Sequence, residues 1–196
     1  MEDTITTIYC LCDDFLATYG WADDPQADCS TAEVMTVVLV AATYYGGKIE
    51  ISRLFLKGRF FSRMLSKSRL NRRLHAIPEA LWQALFTVLA GAFKATNVTQ
   101  EYIIDSLSVP VCDNIRIRRC RLYPLAQDGA CRGYIASKRR YFYGLRVHLL
   151  VTATGEPVEF ALAPGAESDL PVFREFPLDL PEGAVIYADK LYNDYV

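Results

Sequence analysis

The sequence predicts an α+β protein in which a helical N-terminal half is followed by a mixed β-sheet. From residue 4 to about residue 96 the apolar residues recur at helical spacing, whereas beyond segment 96–100 they alternate as in strands. Of the 196 residues, 52% are hydrophobic and 22% are charged, which is typical of a globular protein with one large domain or two small ones. We therefore expect a helical domain over 1–98 and a sheet domain over 99–196.

The first half contains four helical regions. Residues 4–19 carry one apolar face. The sequence "STAE" at 30–33 is a capping box that opens a second, almost wholly apolar helix, which Gly46-Gly47 should end. Pro78 should begin the last helix, whose predicted buried stripe is Leu81, Leu85, Val88 and Ala92.

Between these helices, residues 51–77 alternate apolar and basic side chains at helical spacing. Short basic helices joined by tight turns are typical of a helix-turn-helix, so "SKSRLNRRLH" is the helix expected to face DNA. Its candidate DNA contacts are Arg69, Arg72 and Arg73.

The second half contains four predicted strands, at 102–109, 141–152, 157–163 and 184–189. A short helix should lie between the third and the fourth. Three consecutive strands followed by a helix and a strand indicate a sheet that is antiparallel first and then parallel.

The net charge of −2 conceals two basic blocks. Residues 53–73 contain eight bases and no acid, and residues 110–142 contain eight bases against two acids. Such separation predicts two surfaces for a polyanion, with ordinary solvated faces as the alternative. Aromatic residues in the second block, Tyr134, Tyr141 and Tyr143, could stack on unpaired bases. The candidate DNA contacts there are Arg116, Arg118, Arg119, Arg132, Lys138, Arg139 and Arg140.

Membrane insertion and secretion are not expected. The longest apolar run, 34–45, is too short to cross a bilayer, and Met1 is followed by two acids rather than by the bases of a signal peptide. We therefore expect a cytoplasmic protein. The six cysteines contain no C-x-x-C pair, which argues against zinc and favours reduced thiols.

Two aspartates stand at positions where chemistry is expected. Asp105 interrupts the apolar strand "YIIDSLSV", and Asp189 closes "AVIYAD". A carboxylate in an apolar strand is costly unless a cation compensates its charge, so the pair predicts a metal site, with a turn or helix cap as the alternative. Three other aspartates, Asp113, Asp169 and Asp194, are expected to be solvated. His148 is expected to be hydrogen-bonded within the core rather than to bind a metal.

Phosphodiester cleavage explains why two such carboxylates would be needed. Two Mg²⁺ (or Mn²⁺) ions stabilise the attacking and leaving oxygens on one phosphorus, and carboxylates on adjacent strands can hold both ions. Two carboxylates hold one of the ions poorly, so a third acid is normally required.

The segments "YIIDSLSVPVCDNIRIRRCRL", "RGYIASKRRYFYGLRVHLLVTATGEPVEFALAPGAESD" and "LPEGAVIYADKLYNDYV" resemble bacterial DDE-type insertion-sequence transposases, above all the insertion-sequence 982 group. The resemblance covers 100–196 closely and the helical half loosely, through "RLNRRLH". It implies an RNase H-like catalytic core with Asp105 and Asp189 as the first two of three catalytic, metal-binding acids. The implied partners are double-stranded DNA, namely the terminal inverted repeats and the target, with a homodimer as one candidate assembly.

The third acid of that family is a glutamate on a helix after the last strand, and this sequence contains no counterpart of either. The resemblance therefore predicts a C-terminally truncated transposase that is inactive alone. The alternatives are a non-catalytic DNA-binding fragment or relic of a transposase, and an RNase H-like nuclease for another substrate.

Overall fold

The structure is a computed structural model that describes residues 1–112, 114–120, 130–135 and 138–192. It contains helices and a mixed sheet, which confirms the α+β prediction. The chain forms two compact units, Met1–Leu85 and Phe86–Val196. No single described helix is long and apolar enough to cross a membrane, and two bent helix pairs meet that test only jointly.

Helices build the first unit, and the last of them continues into the second. They are α1 (Glu2–Tyr19), α2 (Thr31–Tyr45), α3 (Ile49–Leu56), α4 (Lys67–Ala76) and α5 (Glu79–Thr96). The predicted capping box is confirmed at the start of α2. Ser30 Oγ accepts the Glu33 N–H at 3.1 Å, and Glu33 Oε2 accepts the Ser30 N–H at 2.7 Å. Because α2 is apolar on nearly every side, it lies at the centre of this unit, contacting α1, α3 and α4.

The buried stripe predicted for α5 is correct only in its first half. Leu81 and Leu85 are buried, but Val88 is 58% exposed and Ala92 is also exposed. Beyond Leu85 the helix belongs to the second unit and uses another side, with Phe86 packing edge-on against Phe160. A single stripe over the whole helix was therefore the wrong pattern.

The second unit is built on a mixed sheet, as predicted. Its strands are β1 (Glu101–Cys112), β2 (Arg132–Ile135), β3 (Arg140–Thr152), β4 (Pro157–Pro164) and β5 (Val185–Ala188). The long β3 pairs antiparallel with β1, β2 and β4, and β5 pairs parallel with β1. The predicted strands are confirmed, but β2 was missed, because four residues that include a glycine and lie in a basic stretch give no alternating signal.

Residues of α6 (Asp169–Arg174), of a 3₁₀ helix (Lys190–Tyr192) and of the end of α5 pack against one face of this sheet. Its core cluster consists of Tyr102, Ile104, Leu150, Val158, Phe176 and Tyr192. On the other face of β1, Ile103, Leu107 and Val109 are exposed by 41%, 51% and 39%. Residues of β1 therefore alternate between a packed face and an open face.

Replacing Gly144 with alanine should destabilise the sheet. A Cβ atom at this position would lie 2.1 Å from the Val109 carbonyl oxygen on the neighbouring strand, so the backbone of β1 or β3 must move. We expect a loss of about 3 kcal/mol in unfolding free energy, measured by urea denaturation. The matched control is Gly91→Ala in α5, where a Cβ meets nothing within 4 Å and about 0.5–1 kcal/mol should be gained. Equal stability of Gly144→Ala and the unchanged chain would contradict this packing.

Candidate functional site

Asp105 and Asp189 lie side by side. The parallel register pairs Ile103 with Tyr187 and Ile104 with Ala188, so the next position on each chain is one of the two aspartates. Both aspartates line one pocket of about 350 Å³, whose walls are Ile103, Ile104, Asp105, Tyr187, Ala188 and Asp189. Two acids that are far apart in sequence are thus neighbours: Asp189 directly follows the end of β5, and Asp105 lies at the adjacent position inside β1.

Both carboxylates are exposed, which corrects the expectation that Asp105 is buried in an apolar strand. Asp105 belongs to the open face of β1, so its charge needs no buried compensation. Its Oδ1 accepts the N–H of Ser106 at 2.7 Å. Asp189 Oδ1 accepts the N–H of Lys190, and the Asp189 carbonyl accepts the N–H of Tyr192 at 3.0 Å. Asp189 therefore also begins the 3₁₀ helix, the role that the sequence left as an alternative.

Asp105 and Asp189 are chemically suited to bind a hard divalent cation, although they do not form a complete set of ligands. Carboxylate oxygens are the ligands that Mg²⁺ prefers, and this ion keeps several waters, so an open pocket with two carboxylates supplies suitable donors. Within residues 1–112, 114–120, 130–135 and 138–192, no group of three or more His, Cys, Asp or Glu side chains is placed to hold a metal. Asp113 and Asp194, two further candidates, lie outside the described residues.

A buried polar cluster lies on the packed face of the sheet. His148 of β3 is fully buried, and its Nδ1 is 3.0 Å from the Tyr192 hydroxyl, which confirms the expected hydrogen-bonded histidine. Asp169 at the start of α6 accepts Arg146 Nη1 at 2.9 Å, and its side chain is only 4% exposed. The prediction that Asp169 is solvated is therefore wrong. In the sequence, this cluster was indicated only by Arg146 and His148, which occupy every second position of the strand and therefore share one face.

Burial sets the protonation states of this cluster. It lowers the pKa of His148, because the charged imidazolium is disfavoured away from water, and the opposing effect of Asp169 is smaller. Burial also raises the pKa of Tyr192 to about 12. At neutral pH the hydrogen bond therefore joins a neutral imidazole to a protonated phenol.

The lowered pKa of His148 predicts a loss of stability in mild acid. Above about pH 6.5 the imidazole is neutral in both states, so it adds no pH dependence. As the pH falls below 6.5 the unfolded chain binds a proton that the folded chain does not. The unfolding free energy should then fall by up to about 1.4 kcal/mol per pH unit until the folded pKa is reached. The groups that act on His148 here are Asp169, Arg146, Glu167 and Asp105.

Urea denaturation between pH 7 and pH 5.5 measures this effect. Replacing His148 with glutamine should remove the steep part of the pH dependence, whereas His75→Gln, on the exposed side of α4, should retain it. Identical pH dependence in both variants would contradict the assignment to His148.

The predicted DNA contacts of α4 divide into two kinds. Arg69 and Arg72 are exposed, with Arg69 3.4 Å from Asp28. Arg73 is partly buried and donates to Asp23 Oδ1 at 3.0 Å and to the Cys29 carbonyl at 3.1 Å. Arg73 therefore holds α4 against the segment before α2, and of the three predicted contacts only Arg69 and Arg72 face outward.

The predicted contacts of the second basic block are all exposed: Arg116, Arg118, Arg119, Arg132, Lys138, Arg139 and Arg140. Beside them, the exposed rings of Tyr134 and Tyr141 lie 4.9 Å apart across β2 and β3. The Arg132 guanidinium lies 5.5 Å from the centre of the Tyr141 ring. Tyr143 is 1% exposed and cannot stack on a base, contrary to the prediction.

Comparison with known protein families identifies the second half of the chain. Residues 95–194, about half of the chain, match the family described as "Transposase DDE domain". Comparisons with curated proteins and with solved structures gave no match. The matched region includes every strand of the sheet and both aspartates of the pocket. The chain therefore belongs to the family of DDE-domain transposases.

Proposed function

We propose that this transposase belongs to the insertion-sequence 982 group and cleaves and joins DNA at the ends of its element. Asp105 and Asp189 act as its metal-binding catalytic carboxylates. The observation that carries the proposal is the parallel pairing of β1 with β5, which brings the two acids to one pocket. Membership of the transposase family supports DNA as the substrate.

The proposed reaction requires stabilisation of the negative charge that develops on the oxygens of the scissile phosphate. Bound Mg²⁺ or Mn²⁺ ions would supply electrophilic stabilisation of the attacking and leaving oxygens. Asp105 and Asp189 would hold these ions with carboxylate oxygens, and the hydrogen bonds from Ser106 and Lys190 fix the direction of each carboxylate. The resemblance to DDE-type transposases implies a third acid, a glutamate, to complete the set.

The exposed bases would bind the DNA backbone. Arg116, Arg118 and Arg119 follow β1 in the unit that carries Asp105, and the hairpin of β2 and β3 adds four more bases. The helical domain, proposed as 1–98, would bind the terminal repeats through Arg69 and Arg72. Phosphate contacts of this kind strengthen binding without reading sequence.

Metal binding tests the proposed site directly. We expect the chain to bind Mn²⁺, measured by electron paramagnetic resonance titration, and Asp189→Asn to weaken that binding by at least tenfold. The control is Asp179→Asn, which removes a carboxylate that is 99% exposed in the same unit. Equal Mn²⁺ affinity in Asp189→Asn and the unchanged chain would overturn the site.

A second candidate function is DNA binding without catalysis. The observation that favours it is that no third acid joins the pair within the described parts of the chain. In that case DNA affinity should be independent of Mg²⁺ and unchanged by Asp105→Asn. A salt titration checks the basic surfaces in either case, because phosphate contacts weaken steeply as salt rises.

A further inference from the structure

We propose that the Tyr192 hydroxyl is a positioning group that holds Asp189 in place beside Asp105. It does so through hydrogen bonds to Ser106 and His148 on the packed face of the sheet. This inference rests on the proposed function, since it assigns Tyr192 a role toward the two metal-binding carboxylates.

Tyr192 and Asp189 belong to the same short turn of the chain. The 3₁₀ helix Lys190–Tyr192 begins directly after Asp189, and the Tyr192 N–H donates to the Asp189 carbonyl at 3.0 Å. Asp189 and Lys190 are exposed, whereas Tyr192 is only 5% exposed. Tyr192 therefore anchors in the core a turn that begins at the surface.

The hydroxyl end of the Tyr192 side chain lies near the residue that follows Asp105. Ser106 follows Asp105 on β1 and is paired in register with His148 on β3. The Tyr192 hydroxyl is 3.0 Å from His148 Nδ1 and also hydrogen-bonds with the Ser106 side chain. One hydroxyl thus joins the segment of the second carboxylate to the residue beside the first.

Further contacts restrict the positions of the Tyr192 ring and of its partner His148. The Tyr192 ring packs edge-on against His148 and Phe173, with ring centres 6.1 Å and 5.7 Å apart. Asp169 Oδ1 lies 3.8 Å from His148 Nδ1 and is itself held by Arg146. Hydrogen bonds away from water are strong and directional, so the cluster restricts where the turn after β5 can lie.

The strand that carries Asp189 needs such an anchor. β5 has four residues, and within the described part of the chain it pairs only with β1. Three of its side chains, those of Val185, Tyr187 and Ala188, are exposed. Packing of β5 itself therefore fixes Asp189 weakly, and the buried tyrosine beyond it supplies the missing constraint.

The test removes the hydroxyl and keeps the ring. In Tyr192→Phe we expect the dissociation constant for Mn²⁺ to rise about fivefold, as for the loss of one hydrogen bond. The low-temperature electron paramagnetic resonance spectrum of the bound Mn²⁺ should also change, because the two carboxylates no longer keep their spacing. The matched control is Tyr102→Phe, which removes a buried hydroxyl of the same core that has no hydrogen-bond partner in the described residues. Its Mn²⁺ affinity and spectrum should equal those of the unchanged chain.

The outcomes separate the two proposals. If the unchanged chain binds no Mn²⁺, or Asp189→Asn binds it equally well, the proposed function fails. If those results hold but Tyr192→Phe binds Mn²⁺ with unchanged affinity and spectrum, only the positioning role is refuted, even when its melting temperature falls. Should circular dichroism show that Tyr192→Phe does not fold, Ser106→Ala decides. A two- to threefold weaker Mn²⁺ affinity then supports the role, and an unchanged one overturns it.

Discussion

Replacing Asp105 with asparagine should reduce Mg²⁺-dependent cleavage at the ends of the element by on the order of 10²–10³-fold. Asparagine has the shape of aspartate but carries no charge, so the pocket loses half of its described carboxylate donors for a hard cation. The measurement is the single-turnover rate at which the transposase cleaves terminal-repeat DNA.

The control for this experiment is Asp179→Asn. Asp179 is almost fully exposed, its carboxylate lies 3.8 Å from Lys94, and it does not line the pocket. Its rate of cleavage should match that of the unchanged protein. A normal rate in Asp105→Asn would show that the first metal-binding acid has been assigned to the wrong residue.

Replacing Asp169 with asparagine should destabilise the sheet unit by about 3–5 kcal/mol. The carboxylate is almost fully buried and accepts Arg146 Nη1 at 2.9 Å, with the Arg146 side chain only 17% exposed. Removing the negative charge leaves a guanidinium that is largely out of water without its counter-charge. Urea denaturation followed by circular dichroism measures the loss.

Asp179→Asn again provides the contrast, since its carboxylate is 99% exposed and Lys94 also donates to the Asp179 carbonyl, a bond that the substitution keeps. A carboxylate so exposed to water contributes about 0–1 kcal/mol to such a pair, so the unfolding free energy of this variant should change little. If both variants lose the same small amount, the buried pair contributes no more than a surface pair and its structural importance is refuted.

Local patterns were sufficient to predict much of this structure. The "STAE" capping box and the alternation in β3 and β4 each depend on neighbours within a few residues. The antiparallel and parallel pairing followed from the order of the elements. The strand β2 could not be predicted in this way, because it is short and its apolar and polar residues do not alternate.

The sequence drew attention to Asp105 and Asp189, which the structure places side by side, but it did not predict their surroundings. An apolar strand with a carboxylate suggested burial of Asp105, but only the even positions of β1, such as Tyr102 and Ile104, face the core. Asp169 was misjudged because its partner Arg146 is distant in sequence and meets it only in the folded sheet. For the same reason the pairing of Arg73 with Asp23 could not be seen in a helix that appears basic on every outward side.

The parallel pairing of β1 with β5 also determines when the carboxylate pair can form during folding. The Tyr187 hydroxyl donates to Glu101 across 86 positions of chain, so the two strands meet only after a long loop has closed. Closing such a loop costs entropy before any contact repays it, and non-local strand pairs therefore form slowly. An intermediate that has formed the β1–β3 and β3–β4 pairs lacks the Asp105–Asp189 pair until β5 docks. Cation binding at the proposed site would thus report the completion of this sheet.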